Sequence, residues 1–160
     1  MRQRTPLRLI GGSLAFLALG LAVTVGIPAL EGPPPSAQAV PYSQVQLQGR
    51  SIYIREGCWY CHTQQVRPIE VEPGTVRVRG DLGPASRPGD YAYQKPPLWG
   101  TNRQGPDLTY TSRRAYGTKE WHIRHLKEPR KTILGSIMPS FAHLPEEELD
   151  ALAEYLLTLR

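Results

Sequence analysis

Sulfur is scarce in this 160-residue chain, which has two cysteines and two methionines. Two cysteines exclude a multi-disulfide scaffold and a four-cysteine zinc site. Long apolar runs are also missing outside residues 9–30, and prolines and glycines are dense from residue 68 to residue 106. A chain this irregular buries little apolar surface by itself, so we expect loops through much of its middle.

Both cysteines lie in one short motif, C-x-x-C-H, at residues 58–62. This pattern is typical of the attachment site of a c-type haem. Two thiols at this spacing reach the two vinyl groups of one porphyrin, and the histidine that follows lies under the iron as its proximal ligand. The single motif predicts one covalently bound haem c, held by Cys58, Cys61 and His62, which would supply the missing apolar centre.

Three other interpretations of the two cysteines remain. A redox dithiol of the thioredoxin type would have a βαβ pattern around it, and none follows the motif. A lone disulfide is the second alternative. The third is a zinc site completed by His122 and His125, which are three residues apart. The residues near Met138 fit haem better than these alternatives.

A six-coordinate haem needs a second axial ligand, and histidine and methionine are the usual choices. Met1 precedes the apolar run and would lie on the wrong side of a membrane. Met138 is followed by Pro139 in a loop with few apolar neighbours, so we expect it to ligate iron rather than to fill a core. The alternative ligands are His122, His125 and His143.

The turn Gly-Pro-Asp-Leu at residues 105–108 offers a partner for the proximal histidine. An iron-ligating histidine usually donates its other ring N–H to an acceptor such as a carbonyl, which fixes the tautomer and the ring plane. Pro106 has a carbonyl on a stiff turn. A plain loop proline is the equal alternative from the residues alone.

The N-terminal run from Leu9 to Leu30 carries no charge, and its length is enough to cross a bilayer core of about 30 Å as a helix. Three arginines and no acid precede it, so the positive-inside rule puts residues 1–8 in the cytoplasm and everything after residue 30 outside. The alternative is a cleaved signal peptide with its site at Ala37-Gln38-Ala39. We expect a retained anchor, because the run is longer than a typical secretory core.

The rest of the chain is long enough for one domain. We expect a Pro-rich linker at residues 31–41 and a monohaem domain at residues 42–160. Helices are predicted from Ser43 to Glu56, from Thr118 to about Lys127, and from Pro145 onward, where leucines form one apolar stripe. The long stretch from Thr63 to Pro97 is predicted to be mostly loop.

Net charge is +5, and three N-terminal arginines account for much of it. The remainder is segregated, with a basic excess at residues 50–131 and an acidic excess at residues 145–160. A nearly neutral domain outside the cell membrane is not expected to bind nucleic acid. Such segregated charge is typical of a surface that steers a protein partner, or of an ordinary solvated surface.

The order of these residues resembles class I cytochromes c: Gly49 and Tyr53, the C-x-x-C-H motif, the 105–108 turn, then Met138-Pro139 and a leucine-rich last helix. Three stretches, at residues 53–68, 99–108 and 120–139, resemble more narrowly the membrane-anchored monohaem subunit of cbb3-type cytochrome c oxidases. Two positions depart from that family. Gln65 stands where methionine is frequent, and Phe141-Ala142-His143 replaces an aromatic-proline run, which lets His143 approach the haem edge.

The resemblance implies an all-α class I cytochrome c domain with long loops, behind one transmembrane helix in the bacterial cytoplasmic membrane, with the haem on the periplasmic face. Electrons would pass to a catalytic haem–copper subunit that reduces O2. The complex would hold a further cytochrome c subunit, and the donor would be a cytochrome or a cupredoxin. The implied site consists of Cys58 and Cys61 as haem attachments, His62 and Met138 as iron ligands, and Pro106 as the group that orients His62.

Two other functions share this chemistry. One is the anchored monohaem subunit of a nitric oxide reductase. The three stretches quoted above are not a signature of that family. The other is a free-standing tethered cytochrome or a haem sensor, and a firmly bound Met138 argues against the sensor. Catalysis by the chain itself is not expected, because an iron with histidine and methionine ligands has no open position for a substrate.

Overall fold

The computed structural model describes residues 4–71, 83–100 and 102–160. Within these ranges the chain is helical and contains no strand, so the predicted all-α fold is confirmed. The longer helical segments are α1 (Arg4–Leu21), α2 (Ile27–Glu31), α3 (Gln44–Arg55), α4 (Pro68–Val71), α5 (Lys119–Lys127), α6 (Pro129–Thr132) and α7 (Glu146–Leu156). Short 3-10 turns lie at Cys58–Tyr60, Pro88–Tyr91 and Thr111–Arg113.

The N-terminal unit runs to Pro34 and is built on one apolar helix. A π-helical turn, Ala22–Gly26, joins α1 to α2, and the stretch Pro6–Glu31 has a mean hydropathy of 2.1 over its most apolar window. Pro28 lacks an N–H group and would press on the carbonyl four residues back, which accounts for the wider turn just before it. Length and composition suffice for a membrane crossing, and the predicted N-terminal apolar helix is confirmed.

The second unit, from Pro35 to Arg160, is organised around the pair α3 and α7. α3 begins with a capping box, in which the Ser43 hydroxyl accepts from the Gln46 main chain and the Gln46 side chain accepts from the Ser43 main chain. At Gly49 the two helices touch, since a Cβ there would lie 1.9 Å from the carbonyl oxygen of Ala151. Glycine at this position therefore sets how closely α7 approaches α3.

The core lies between α3, α5 and α7. The leucine stripe predicted from the spacing is buried, and Leu149 and Leu152 are fully shielded from solvent. Tyr155 packs edge-on to Tyr53 of α3, with ring centroids 5.5 Å apart. Pro145 is the N-cap of α7, one residue outside the first helical position predicted for it, because its ψ of 152° is extended.

The middle of the chain is irregular, as predicted, and polar contacts join its segments to one another and to α3. The Tyr91 hydroxyl donates to the Gln64 carbonyl at 2.7 Å. The Arg50 guanidinium donates to the carbonyls of Lys95 and Pro96. Part of the predicted 63–97 loop, residues 72–82, and Thr101 of the resembling stretch 99–108 lie outside the described residues.

Candidate functional site

One cavity of about 550 Å³ opens between α5, α7, the C-x-x-C-H motif and the loops at 104–108 and 133–139. Its volume falls in the range of ligand sites, and leucine, isoleucine and aromatic side chains form much of its wall. All five residues predicted from the sequence line this cavity: Cys58, Cys61, His62, Pro106 and Met138.

The C-x-x-C-H motif is folded into a single tight turn that follows α3. Gly57 has a φ of 72°, in the left-handed region that favours glycine, and this turns the chain out of the helix. The main-chain N–H groups of Cys61 and His62 then both donate to the carbonyl of Cys58, at 3.2 and 3.0 Å. This turn brings both thiols and the imidazole to one wall of the cavity.

The imidazole of His62 is fixed by the turn at residues 105–108. Its Nδ1 lies 2.8 Å from the Pro106 carbonyl oxygen, so Nδ1 carries the proton and donates, and Nε2 is left free to ligate a metal. A Cβ at Gly105 would lie 2.2 Å from Cε1 of the ring, so only glycine fits against it. Burial lowers the pKa of His62, which favours the neutral imidazole that a metal requires.

Both ends of the 105–108 turn are hydrogen-bonded to residues 61–63, at the end of the motif and just after it. The Gly105 N–H donates to the Cys61 carbonyl at 2.9 Å, and the Leu108 N–H donates to the Thr63 carbonyl at 2.8 Å. The Pro106 carbonyl therefore cannot move away from His62 without breaking main-chain hydrogen bonds.

A buried ionic network lies behind this turn, and sequence reasoning missed it. The Asp107 carboxylate accepts from the Thr63 hydroxyl and from the main-chain N–H groups of Gln65 and Thr109. Arg103, whose side chain is 6% exposed, lies 3.5 Å from the same carboxylate. These bonds anchor the residue that follows Pro106.

Glu70 of α4 completes the network. It accepts from the Arg67 and Arg103 guanidinium groups and from the Arg67 main chain. Burial alone would raise the pKa of Glu70, but these donors together hold it below its usual value. The carboxylate is therefore charged at neutral pH and balances the buried Arg103.

The state of the thiols argues against the other interpretations of the cysteines. The two thiols are not bonded to each other in this structure. Burial raises the pKa of the Cys58 thiol to about 12, which opposes the reactive thiolate of a redox dithiol. In the part of the chain that the structure describes, no group of three or more histidine, cysteine or acidic side chains could hold a zinc ion.

Met138 lies in the loop after α6, and its main-chain N–H donates to the Ser136 hydroxyl at 3.3 Å. The side chain packs on the core and lines the cavity. Two of the alternative ligands, His122 and His125, also line the cavity. His143 does not line the cavity, although the sequence predicted that it approaches the haem edge. Its ring lies 3.2 Å from the Glu56 carboxylate, and its side chain is 61% exposed.

The residues around the cavity fit a haem. The donor set of two thiols, a carbonyl-oriented imidazole and a thioether is that of a haem c, and Gly105 leaves the space that the imidazole needs. A helical domain with this set around one apolar cavity has the make-up of a c-type cytochrome.

The chain matches over residues 2–156 the family model described as cytochrome C oxidase, mono-heme subunit/FixO, and it belongs to this family. No curated protein matches the chain. Membership confirms the predicted resemblance and makes the protein a monohaem cytochrome of a cytochrome c oxidase that takes part in electron transport. The N-terminal apolar helix fits a membrane anchor.

Proposed function

We propose that the protein is the electron-transfer subunit of a cbb3-type haem–copper terminal oxidase, passing electrons through one covalently bound haem c towards the O2-reducing catalytic subunit. The observation that carries this proposal is an apolar cavity that Cys58, Cys61, His62 and Met138 line together, with the His62 Nδ1 hydrogen-bonded to the Pro106 carbonyl. Family membership supports the oxidase as the setting.

Each of the five residues has its own role in this proposal. Cys58 and Cys61 form thioether bonds, His62 and Met138 ligate the iron, and the Pro106 carbonyl holds the His62 ring in one plane. When bound, the haem supplies a one-electron couple at its iron. The two ligands leave no open coordination position, so the subunit itself does not reduce O2.

The N-terminal unit supports a proposed location. The apolar helix crosses the bacterial cytoplasmic membrane once, with residues 1–8 in the cytoplasm and the haem domain on the periplasmic face. Its partners are the catalytic haem–copper subunit, a further cytochrome c subunit, and a donor cytochrome or cupredoxin. Family membership in the oxidase and the arginines before the helix support this arrangement.

Mild-detergent purification of the tagged full chain from its native membranes tests the proposal. Co-purification of a large subunit with b-type haem and copper, together with O2 uptake, is the expected result. A double variant, Cys58→Ala with Cys61→Ala, serves as the control and should carry no covalent haem. NO reduction without O2 uptake would indicate a nitric oxide reductase in place of the proposed oxidase. Purification of the monohaem protein alone would indicate a free-standing tethered cytochrome.

A further inference from the structure

The residues that follow the two partners of the His62–Pro106 hydrogen bond are bonded to each other. These residues are Thr63 and Asp107, and the Thr63 hydroxyl donates to the Asp107 carboxylate. Thr63 is fully shielded from solvent and Asp107 is 2% exposed, so this bond is buried. The Pro106 carbonyl belongs to the planar peptide unit that it shares with Asp107. Holding Asp107 beside Thr63 therefore fixes the plane in which that carbonyl meets the imidazole.

Arg103 contacts both of these residues at once. Its Nε donates to the Thr63 hydroxyl oxygen at 3.0 Å, and its Nη2 lies 3.5 Å from the Asp107 carboxylate. The same Nη2 donates to the Gln65 carbonyl at 2.6 Å, and Nη1 donates to the Glu70 carboxylate. A planar guanidinium has donors in several fixed directions and can make these contacts together, which a single ammonium cannot.

Arg103 acts from outside the cavity. Arg103, Thr63 and Asp107 do not line the cavity wall. The Arg103 side chain is 6% exposed, and its charge is balanced by the carboxylates of Glu70 and Asp107. Such a buried pair resists displacement, because moving one partner leaves the charge of the other uncompensated. These are the contacts of a residue that positions other groups and does not itself touch a cofactor.

We propose that Arg103 is a positioning residue that fixes the hydrogen bond between His62 and Pro106. The inference rests on the proposed haem site and names a residue that governs its proximal ligand. An imidazole that donates from Nδ1 to a carbonyl is a more basic ligand at Nε2. A more basic ligand favours the oxidised iron, so the fixed hydrogen bond lowers the reduction potential.

Exchange of the His62 Nδ1 proton with solvent measures this hydrogen bond. The test uses NMR of the purified, haem-loaded full chain with ¹⁵N-labelled histidine in the reduced state, and it compares Arg103→Gln with Arg67→Gln. Arg67 is the matched control: its guanidinium donates to the same Glu70 carboxylate, but its side chain is 43% exposed. We expect exchange about tenfold faster in Arg103→Gln, roughly the loss of one net hydrogen bond, and the parent rate in Arg67→Gln.

A variant with no change of charge separates positioning from electrostatics. Thr63→Val removes the hydroxyl that donates to Asp107 and leaves every charge in place. We expect faster exchange again, together with a rise in the reduction potential, because the His62 imidazole becomes a weaker donor to iron. The control is Thr158→Val, whose hydroxyl donates to the Tyr155 carbonyl and which does not line the cavity. It should change neither the exchange rate nor the potential.

The outcomes separate this inference from the proposed function. Exchange at the parent rate in haem-loaded Arg103→Gln overturns the inference, even if the variant is less stable. If Arg103→Gln does not accumulate with haem, Thr63→Val decides in its place, with faster exchange in support and the parent rate against. An unsubstituted chain that carries no covalent haem contradicts the proposed function, whereas a haem-loaded chain with parent exchange in both variants refutes this inference alone.

Discussion

Met138 is the residue whose chemistry most directly sets the reduction potential in this proposal. Replacing it by alanine leaves Cys58, Cys61 and His62 intact, so we expect covalent haem to remain. Loss of a thioether ligand lowers the potential within the roughly 0.8 V range that axial ligands span, and it changes the spin state. Absorbance spectra and a redox titration check both effects.

The matched control is Ile69→Ala, a truncation of similar size at a side chain of α4 that is 62% exposed and does not line the cavity. It should leave the spectrum and the spin state unchanged. An unaltered spectrum in Met138→Ala would show that Met138 is not an iron ligand. His122 and His125 would then be the candidates for the second ligand.

A substitution at Gly105 tests whether the close packing of the His62 ring against the 105–108 turn is needed for haem attachment. In Gly105→Ala the new methyl group would overlap the imidazole, 2.2 Å from Cε1, so we expect the ratio of covalent haem to protein to fall. Gly100→Ala is the control, because its Cβ would meet its nearest atoms at an ordinary 3.5 Å. Equal haem loading in both variants would show that the His62 ring is not confined by this turn.

Glu70 carries a prediction about pH. Its pKa is lower in the folded protein than its ordinary value of 4.5, so its contribution to stability is present above about pH 4.5 and is lost as the pH falls through the folded pKa. Glu70→Gln leaves Arg103 with Asp107 as its remaining carboxylate. We expect a loss of roughly 3 kcal/mol at neutral pH, the low end for breaking a buried ion pair.

Denaturant unfolding of the parent and of Glu70→Gln at a series of pH values measures this effect, and the difference between them should narrow below about pH 4.5. Glu148→Gln is the matched control. Because Glu148 pairs with Arg55 at the surface, its loss should change the free energy of unfolding little. A Glu70→Gln difference that does not change with pH would contradict the assigned role of the carboxylate.

At the residue scale the sequence predicted a set of residues that line one cavity, but it missed the ionic network beside them. Cys58, Cys61 and His62 are consecutive in one motif whose spacing encodes its chemistry, so they are readable from the sequence. Arg103 and Glu70 are 33 positions apart and meet only in the folded chain. Arg103 lies in the resembling stretch 99–108, but no local pattern indicates its pairing with Glu70.

At the scale of helices, the crossing of α3 and α7 depends on Gly49. Gly49→Ala would place a methyl group 1.9 Å from the Ala151 carbonyl oxygen, which forces the two helices apart. We expect a loss of about 1–3 kcal/mol of unfolding free energy, typical of overpacking. Thermal or denaturant unfolding of the purified chain measures it.

Ser51→Ala, two residues further along α3 and exposed, is the control. It should change the stability by no more than about 0.5 kcal/mol. Equal stabilities of the two variants would mean that α7 adjusts its position at no cost.

The helices around the cavity were predictable because their signals are local. Ser43 and Thr118 both cap helices, and the apolar spacing of α7 matches its buried face. The loops between them were predicted only as loops. Their positions depend on side-chain contacts to distant carbonyls, such as Tyr91 to Gln64, which no local pattern encodes.

For the molecule as a whole, the N-terminal apolar helix fits a membrane anchor. Leu17→Arg puts a charge near the middle of the apolar stretch, at a cost of about 2.5–3.5 kcal/mol on insertion scales. We expect a marked loss of membrane-integrated protein after alkaline carbonate extraction. Leu7→Arg, beside Arg8 at the helix start, is the control and should remain integrated.

The intact mass of the purified protein distinguishes an anchor from a signal peptide. A mass that includes residues 9–30 and one haem is the expected result. A chain that begins after Ala39 would show that the apolar helix is removed and that membrane association depends on partner subunits.

The double attachment of the 105–108 turn has a consequence for the speed of electron exchange. With its ring bonded to Pro106 and packed against Gly105, His62 is held in one orientation, which it would keep in both oxidation states of the iron that it is proposed to ligate. A change of one charge then calls for little nuclear rearrangement around the proximal ligand, because the surrounding dipoles are held before the electron arrives. On the proposed function, this stiff proximal side would let the protein gain and lose electrons at a small barrier, as a relay within a respiratory complex requires.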